Sequence, residues 1–214
     1  MLAATTTFGR FTQARFAYAR DGPVFSCANH LRMTLSDELA RYRGANDRER
    51  AMVAEVAAFL DEHDDAFERS QLLGHITASA WIVDRERAHA LLTHHRKLGR
   101  WLQLGGHVDG QPDVRAAALR EAQEESGLVE IVALGTAIYD VDVHVIPVRG
   151  AEPEHKHYDI RFAFEADRAA PLVVSGESHA LAWVALDELD RYDTDESVRR
   201  LARKTERLAG SGGA

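Results

Sequence analysis

The stretch Gly105-Gly106-His107-Val108-Asp109-Gly110-Gln111-Pro112 and the segment behind it constrain this chain more than any other part of it. Pro112 or Asp113 is a helix opener and Gly127 a helix closer. Between them Glu121, Glu124 and Glu125 stand at i, i+3 and i+4, and so share one helical face. Three carboxylates on one face repel unless a cation sits among them. Hard oxygen ligands in this pattern suit Mg²⁺ or Mn²⁺, which keep waters and bind phosphate oxygens. The other side of the same helix is small and apolar: Val114, Ala117, Ala118 and Ala122. It is shaped to lie close against a sheet. The bland alternative is a solvated acidic face.

Around this element the chain divides by pattern. Residues 1–70 read as a helical N-terminal extension, 71–209 as the main domain and 210–214 as a loose tail. In the extension, Phe8, Phe11, Phe16, Tyr18 and Phe25 suggest some packing, and Arg10, Arg15 and Arg20 faintly resemble a transit peptide. A helix is expected from Thr34 to Arg43 with Ser36 as cap. A stronger one runs from Asp47 to about His63, capped by Asn46, with Met52, Val53, Val56, Phe59 and Leu60 at helical spacing. Asp61–Glu68 reads as an acidic connection. Three roles stay open for the extension: a cap over a pocket, a homodimer surface, or a packing pad. From Gly74 strands dominate: 75–83, 88–93, a basic turn at 94–99, and 131–137. An alternating pair at 140–145 and 155–162 forms a hairpin, and a last strand covers 180–184. A helical turn begins at 185–189 and a charged helix covers 195–208. The expected class is α+β, a mixed β-sheet between α-helices.

Charge and cysteine usage narrow the partners. The formal net charge of −8 argues against broad nucleic-acid or anionic-membrane binding, but not against small phosphorylated molecules, because a bound metal reverses the local sign. The single cysteine, Cys27, forbids an internal disulfide and fits a reducing, cytoplasmic setting. No apolar run approaches transmembrane length.

The central stretch resembles the box of the Nudix hydrolases (MutT-like enzymes), G-x5-E-x7-R-E-U-x-E-E-x-G-U, with U a bulky aliphatic residue. Gly106, Arg120, Glu121, Glu124, Glu125, Gly127 and Leu128 match at the right spacings. Two positions depart: Pro112 stands where the family has its first Glu, with Gln111 as a neutral stand-in, and Ala122 is smaller than the usual aliphatic. The resemblance implies a Nudix-type mixed sheet sandwiched between helices. It also implies a metal-dependent hydrolase that cleaves a diphosphate linkage in a nucleoside diphosphate joined to another group, or in a related phosphorylated metabolite. Glu121, Glu124, Glu125 and a carbonyl at Gly105 would hold the metal, and Arg120 would pair with the carboxylates. The general base would be one of these glutamates or a residue on a loop.

A second constellation, His75, His107, His157 and Asp159, resembles the metal site of the isopentenyl diphosphate isomerases, Nudix relatives. Imidazole with carboxylate suits an additional transition metal. Gly105, however, occupies the place of the isomerases' catalytic cysteine. The alternative is that these histidines are ordinary hydrogen-bonded or substrate-contacting residues. Arg96, Lys97 and Arg161 are candidates for substrate phosphate, and Trp101 for a base, with core packing the plainer role for it. Beside the hydrolase stand two other readings: a non-catalytic ligand sensor on the same fold, and an isomerase-like enzyme. The intact carboxylates favour the first.

Overall fold

Strand β1 (Gly74–Val83) is buried along its whole length, and its alternation sorts two environments. Ile76, Ala78, Ala80 and Ile82 enter one hydrophobic core; Trp81 and Val83 enter a second on the opposite face. His75, Thr77 and Ser79 lie on that second face but are polar, and the polar floor of a cleft starts with them. The computed structural model describes residues 35–210, with side chains through 206. The expectations for Phe8, Phe11, Phe16, Tyr18, Phe25, Cys27, the arginine-rich start and the tail 211–214 lie outside the described residues.

Helix α1 occupies 35–41, and α2 covers Asp47–Glu62. The Asn46 side chain accepts from Glu49 N, as its capping position demands. Met52, Val56, Phe59 and Leu60 are buried, and Phe59 stacks on Tyr158 at 4.2 Å between ring centroids. The stripe therefore packs on the sheet side of the molecule, and α1 adds Leu35 and Leu39 to the same core. Residues 61–68 are more than an acidic connection. Ala66 and Phe67 are buried, the Ala66 carbonyl accepts from Ile76 N at 2.8 Å, and the Phe67 carbonyl accepts from Gly110 N at 2.8 Å. Two apolar residues in a run of acids thus tie the segment to β1 and to the loop before the carboxylate helix.

The remaining elements are β2 (His89–His95), β3 (Arg100–Leu102), β4 (Leu104–His107), α3 (Val114–Ser126), β5 (Ile131–Ala133), β6 (Asp140–Ile146), β7 (His155–Ala166), β8 (Ser178–Ala185), a 3-10 helix (Leu186–Arg191) and α4 (Glu196–Gly210). β1 runs parallel to β7 over its full length. Its other edge is shared by antiparallel β4 at Thr77–Ala80 and β2 at Ile82–Val83. β7 carries antiparallel β6 and β5, and β2 carries β3 and β8. The strand expected over 131–137 stops at Ala133 because only Leu134 N still bonds to β7, at Ala163 O, before the chain turns away. Helix α3 lays Val114, Ala117, Ala118 and Ala122 on the first core, and α4 lays Val198, Leu201 and Ala202 on the second. The result is an α+β mixed sheet between helical layers. Trp101 packs at the second core, edge-on to Tyr192 at 5.4 Å.

Candidate active site and histidine cleft

β4 brings Gly105 and Gly106 between β1 and α3. A Cβ at Gly105, where φ is +154°, would stand 2.6 Å from the Ala78 carbonyl oxygen and 2.7 Å from Ser79 Cα. A Cβ at Gly106 would collide with the Glu121 carboxylate, 2.7 Å from its Cδ. The absence of side chains lets the carboxylates of α3 lie directly on the strand. A side chain at Gly105 would thus meet backbone atoms of β1.

Asp113 opens α3 by accepting from Ala116 N at 3.0 Å, and Gly127 closes it in the left-handed conformation. This frame fixes the glutamates. Glu125 is 6% exposed, and its Oε2 is buried with no hydrogen-bond partner. Burial and the neighbouring Glu121 push its pKa up to about 8, while the Gly105 N–H offsets part of the rise and Glu177 adds to it. Burial likewise raises Glu121, against the pull of Arg120. Arg120 Nη1 lies 2.7 Å from Glu121 Oε1 and 3.2 Å from Glu124 Oε2, and its Nη2 donates to the His107 carbonyl at 3.0 Å. One guanidinium thereby ties α3 to the end of β4. Glu124 itself stays exposed. Two largely buried carboxylates, one with an orphaned oxygen, form a donor set that fits a hard divalent cation.

The other side of β4 opens on a cleft of about 450 Å³. Its floor is built in rows by the strand register. His75, His157 and His144 face one another across β1, β7 and β6; the next row is Thr77, Asp159 and Asp142; the next is Ser79, Arg161 and Asp140. Rows two residues apart point to one face. His107 joins from β4, opposite Thr77. His75 sits 5.0 Å from His107, 5.1 Å from His155 and 4.9 Å from His157 between ring centroids. Burial lowers the pKa of His75, and lowers His107 to about 4, with Arg69 and His75 adding to the effect; His157 is lowered furthest, by burial and then by its histidine neighbours. Burial thus disfavours the charged form of all three.

Of the residues singled out in the sequence, the structure gathers His75, His107 and His157 but not Asp159. Asp159 is saturated in the next row: it accepts from Thr77 Oγ1 at 3.1 Å, Ser79 Oγ at 2.9 Å and Arg161 Nε at 2.7 Å. His155 takes the place expected for it. Arg161, expected on substrate phosphate, is 2% exposed and committed to Asp159, Asp140 and Asp142, so its charge is already matched. Arg96 braces the sheet end by donating to the Ser178 carbonyl at 3.0 Å and does not line the cleft. Lys97 does line it, with Arg69 and Arg149. Sequence reasoning missed His155, Arg69, Arg149 and Glu177. His155 shares the face of His157 by simple alternation, a signal present in the sequence; the other three sit on turns whose course no periodicity reveals.

The fold and the carboxylate helix define a class, and comparison with known proteins gives it a name. The sequence matches the NUDIX domain over residues 74–204, and the chain belongs to the Nudix family. It is a Nudix hydrolase, a family of pyrophosphate-cleaving enzymes that generally use divalent metals. No curated protein matches it. Solved structures similar to it include an Ap4A hydrolase from C. elegans, at 18% identity over 63% of this chain and 98% of the other, with a TM-score of 0.47. A MutT protein from Methanosarcina mazei Go1 aligns at 19% identity over 64% of this chain and 96% of the other, with a TM-score of 0.47. The NUDIX domain of Shewanella oneidensis NrtR, complexed with ADP ribose, aligns at 19% identity over 71% of this chain and 97% of the other, with a TM-score of 0.44. Among the described residues no helix is long and apolar enough to cross a membrane.

Proposed function

We propose that the chain is a Mg²⁺- or Mn²⁺-dependent hydrolase of a diphosphate linkage in a nucleoside diphosphate joined to a second group, or in a related small phosphorylated metabolite. A cytoplasmic setting belongs to the same proposal, as does a catalytic unit spanning 71–209 with 1–70 as an extension. The observation that carries the reading is the Glu121–Glu125 pair pressed on the glycines of β4, with a buried carboxylate oxygen left without a partner. Glu121, Glu124, Glu125 and the Gly105 carbonyl would hold the cation. When bound, a divalent ion there neutralises phosphate oxygens and acidifies a water.

The chain's own residues do the rest. Arg120 acts as a positioning residue: its three contacts fix the carboxylates relative to β4. Glu177, on the turn before β8, lines the cleft and acts electrostatically on Glu125. It is the carboxylate we assign to take the proton from water. Lys97, Arg69 and Arg149 supply cationic contacts for the distal part of an anionic substrate.

The test is a panel of nucleotide sugars, dinucleotides, nucleoside triphosphates and isoprenoid diphosphates, each assayed with Mg²⁺ and with Mn²⁺. Glu121→Gln and Glu125→Gln are expected to lower turnover of the best substrate by about 10²-fold or more. Full activity in both variants overturns the assignment.

A further inference from the structure

We propose that His75, His155 and His157 form a second metal site, for a borderline transition ion of the Zn²⁺ or Co²⁺ class, separate from the carboxylates of α3. One ligand atom from each of the three lies within 4.8 Å of the others. His155 Nδ1 stands 2.9 Å from the Pro153 carbonyl oxygen, which can only accept. Nδ1 is therefore the donor in that contact, which leaves Nε2 as the ring atom to meet a metal. That Nε2 faces His157 Nε2 at 3.3 Å. Two nitrogens bound to a tetrahedral ion at about 2.0–2.1 Å stand about 3.3–3.4 Å apart. The second observation comes from His75. It is 3% exposed, and neither of its ring nitrogens meets a partner in hydrogen-bonding geometry; the Gln71 backbone lies near enough only to offset part of the burial. Even with Gln71 counted, one nitrogen of this buried imidazole has no partner, which costs stability unless something fills the space.

The donor set decides the ion. Imidazole nitrogens with no carboxylate among them select Zn²⁺, Co²⁺ or a neighbour in that series over Mg²⁺. The Pro153 contact is the outer-shell hydrogen bond that fixes tautomer and ring orientation in metal-ligating histidines. Three protein ligands leave at least one position of a tetrahedral ion, and the cleft lies on that side. The ligand class for it is water or an anionic oxygen, such as a phosphate of the substrate. His107 and His144 flank the set without belonging to it, and His144 turns its Nδ1 to Asp142 at 3.2 Å. The alternative is a plain hydrogen bond between His155 and His157 with no ion.

Chelator-stripped full-length protein, titrated with Zn²⁺ in excess Mg²⁺, tests this by calorimetry and elemental analysis, with Co²⁺ visible absorption as a spectroscopic readout. Wild type is expected to bind one equivalent. His155→Ala and His157→Ala are each expected to weaken Zn²⁺ by tenfold or more and to lose the Co²⁺ spectrum. The Glu121→Gln, Glu125→Gln double variant is expected to keep both. His155 lies only half-buried, so His155→Ala retains its fold and serves as the arbiter if His157→Ala does not; melting curves check each. Zn²⁺ bound equally by wild type and His155→Ala, or no Zn²⁺ bound by wild type, overturns the site. Zn²⁺ lost only in the glutamate variant moves the ion to α3 and also overturns it, while leaving the hydrolase reading intact.

Discussion

Arg120 makes its three contacts through a planar fork, with Nη1 reaching both Glu121 and Glu124 and Nη2 reaching the His107 carbonyl. A lysine keeps the charge but has one nitrogen to place, so it cannot hold α3 and β4 together in the same way. Arg120→Lys is expected to lower kcat about tenfold or more while KM changes less, a loss of the order seen when outer-shell partners of metal ligands are removed. Steady-state kinetics at saturating metal reads this split. An unchanged kcat would show that the guanidinium only decorates the helix. Glu177→Gln belongs at the same scale. If Glu177 takes the proton, kcat falls by about 10²-fold or more and the acid limb of the pH–rate profile changes. An unchanged profile returns the role to a glutamate of α3.

Helix α2 shows what an element contributes when the site lies elsewhere. Val56 and Leu60 are fully buried against the first core, and Asn46 caps the start. Leu60→Ala removes buried volume that rigid neighbours cannot refill, and is expected to cost about 2–5 kcal/mol. Urea unfolding measures it, and a change under 1 kcal/mol would mean that the helix is not part of the folding unit. This element was legible because its apolar stripe, cap and length agree with one another. So was α3, whose carboxylate face, small face and closing glycine point to a single reading. The floor of the cleft was legible only in part. Alternation places His155, His157, Asp159 and Arg161 on one face, but which of them meet is set by the strands beside them. His157 falls next to His75, while Asp159 falls next to Thr77 and is consumed there. That register joins residues about eighty positions apart, and no local pattern encodes it. The segment 61–68 failed for a different reason: two buried residues, Ala66 and Phe67, are too few to show a period among acids.

At the scale of the whole molecule, one buried ion network holds the sheet to its outer helices. Asp140, Asp142 and Asp159 meet Arg161 from β7 and Arg200 and Lys204 from α4, and Lys204 reaches Glu49 of α2 at 2.9 Å. Burial alone would raise the pKa of Asp142. The His144 hydrogen bond and the charges of Arg161 and Arg200 outweigh it and hold the carboxyl well below the usual range. A depressed carboxylate contributes stability that is present above its unfolded pKa of about 4 and is lost as pH falls through the folded value. Asp142→Asn removes the charge and leaves both arginines under-matched, at an expected cost of about 3–5 kcal/mol at neutral pH. The cost should be pH-dependent in one direction. Between neutrality and about pH 4 the gap to wild type stays constant, because Asp142 is ionised in folded and unfolded wild-type chains alike. Below about pH 4 the unfolded wild type takes up a proton that the folded one refuses, so wild type loses stability and the gap narrows. Urea unfolding of both proteins at a series of pH values reads this directly. A gap that widens toward acid, or one near zero at neutrality, would show that α4 is held by its apolar face alone and that the network adds no stability.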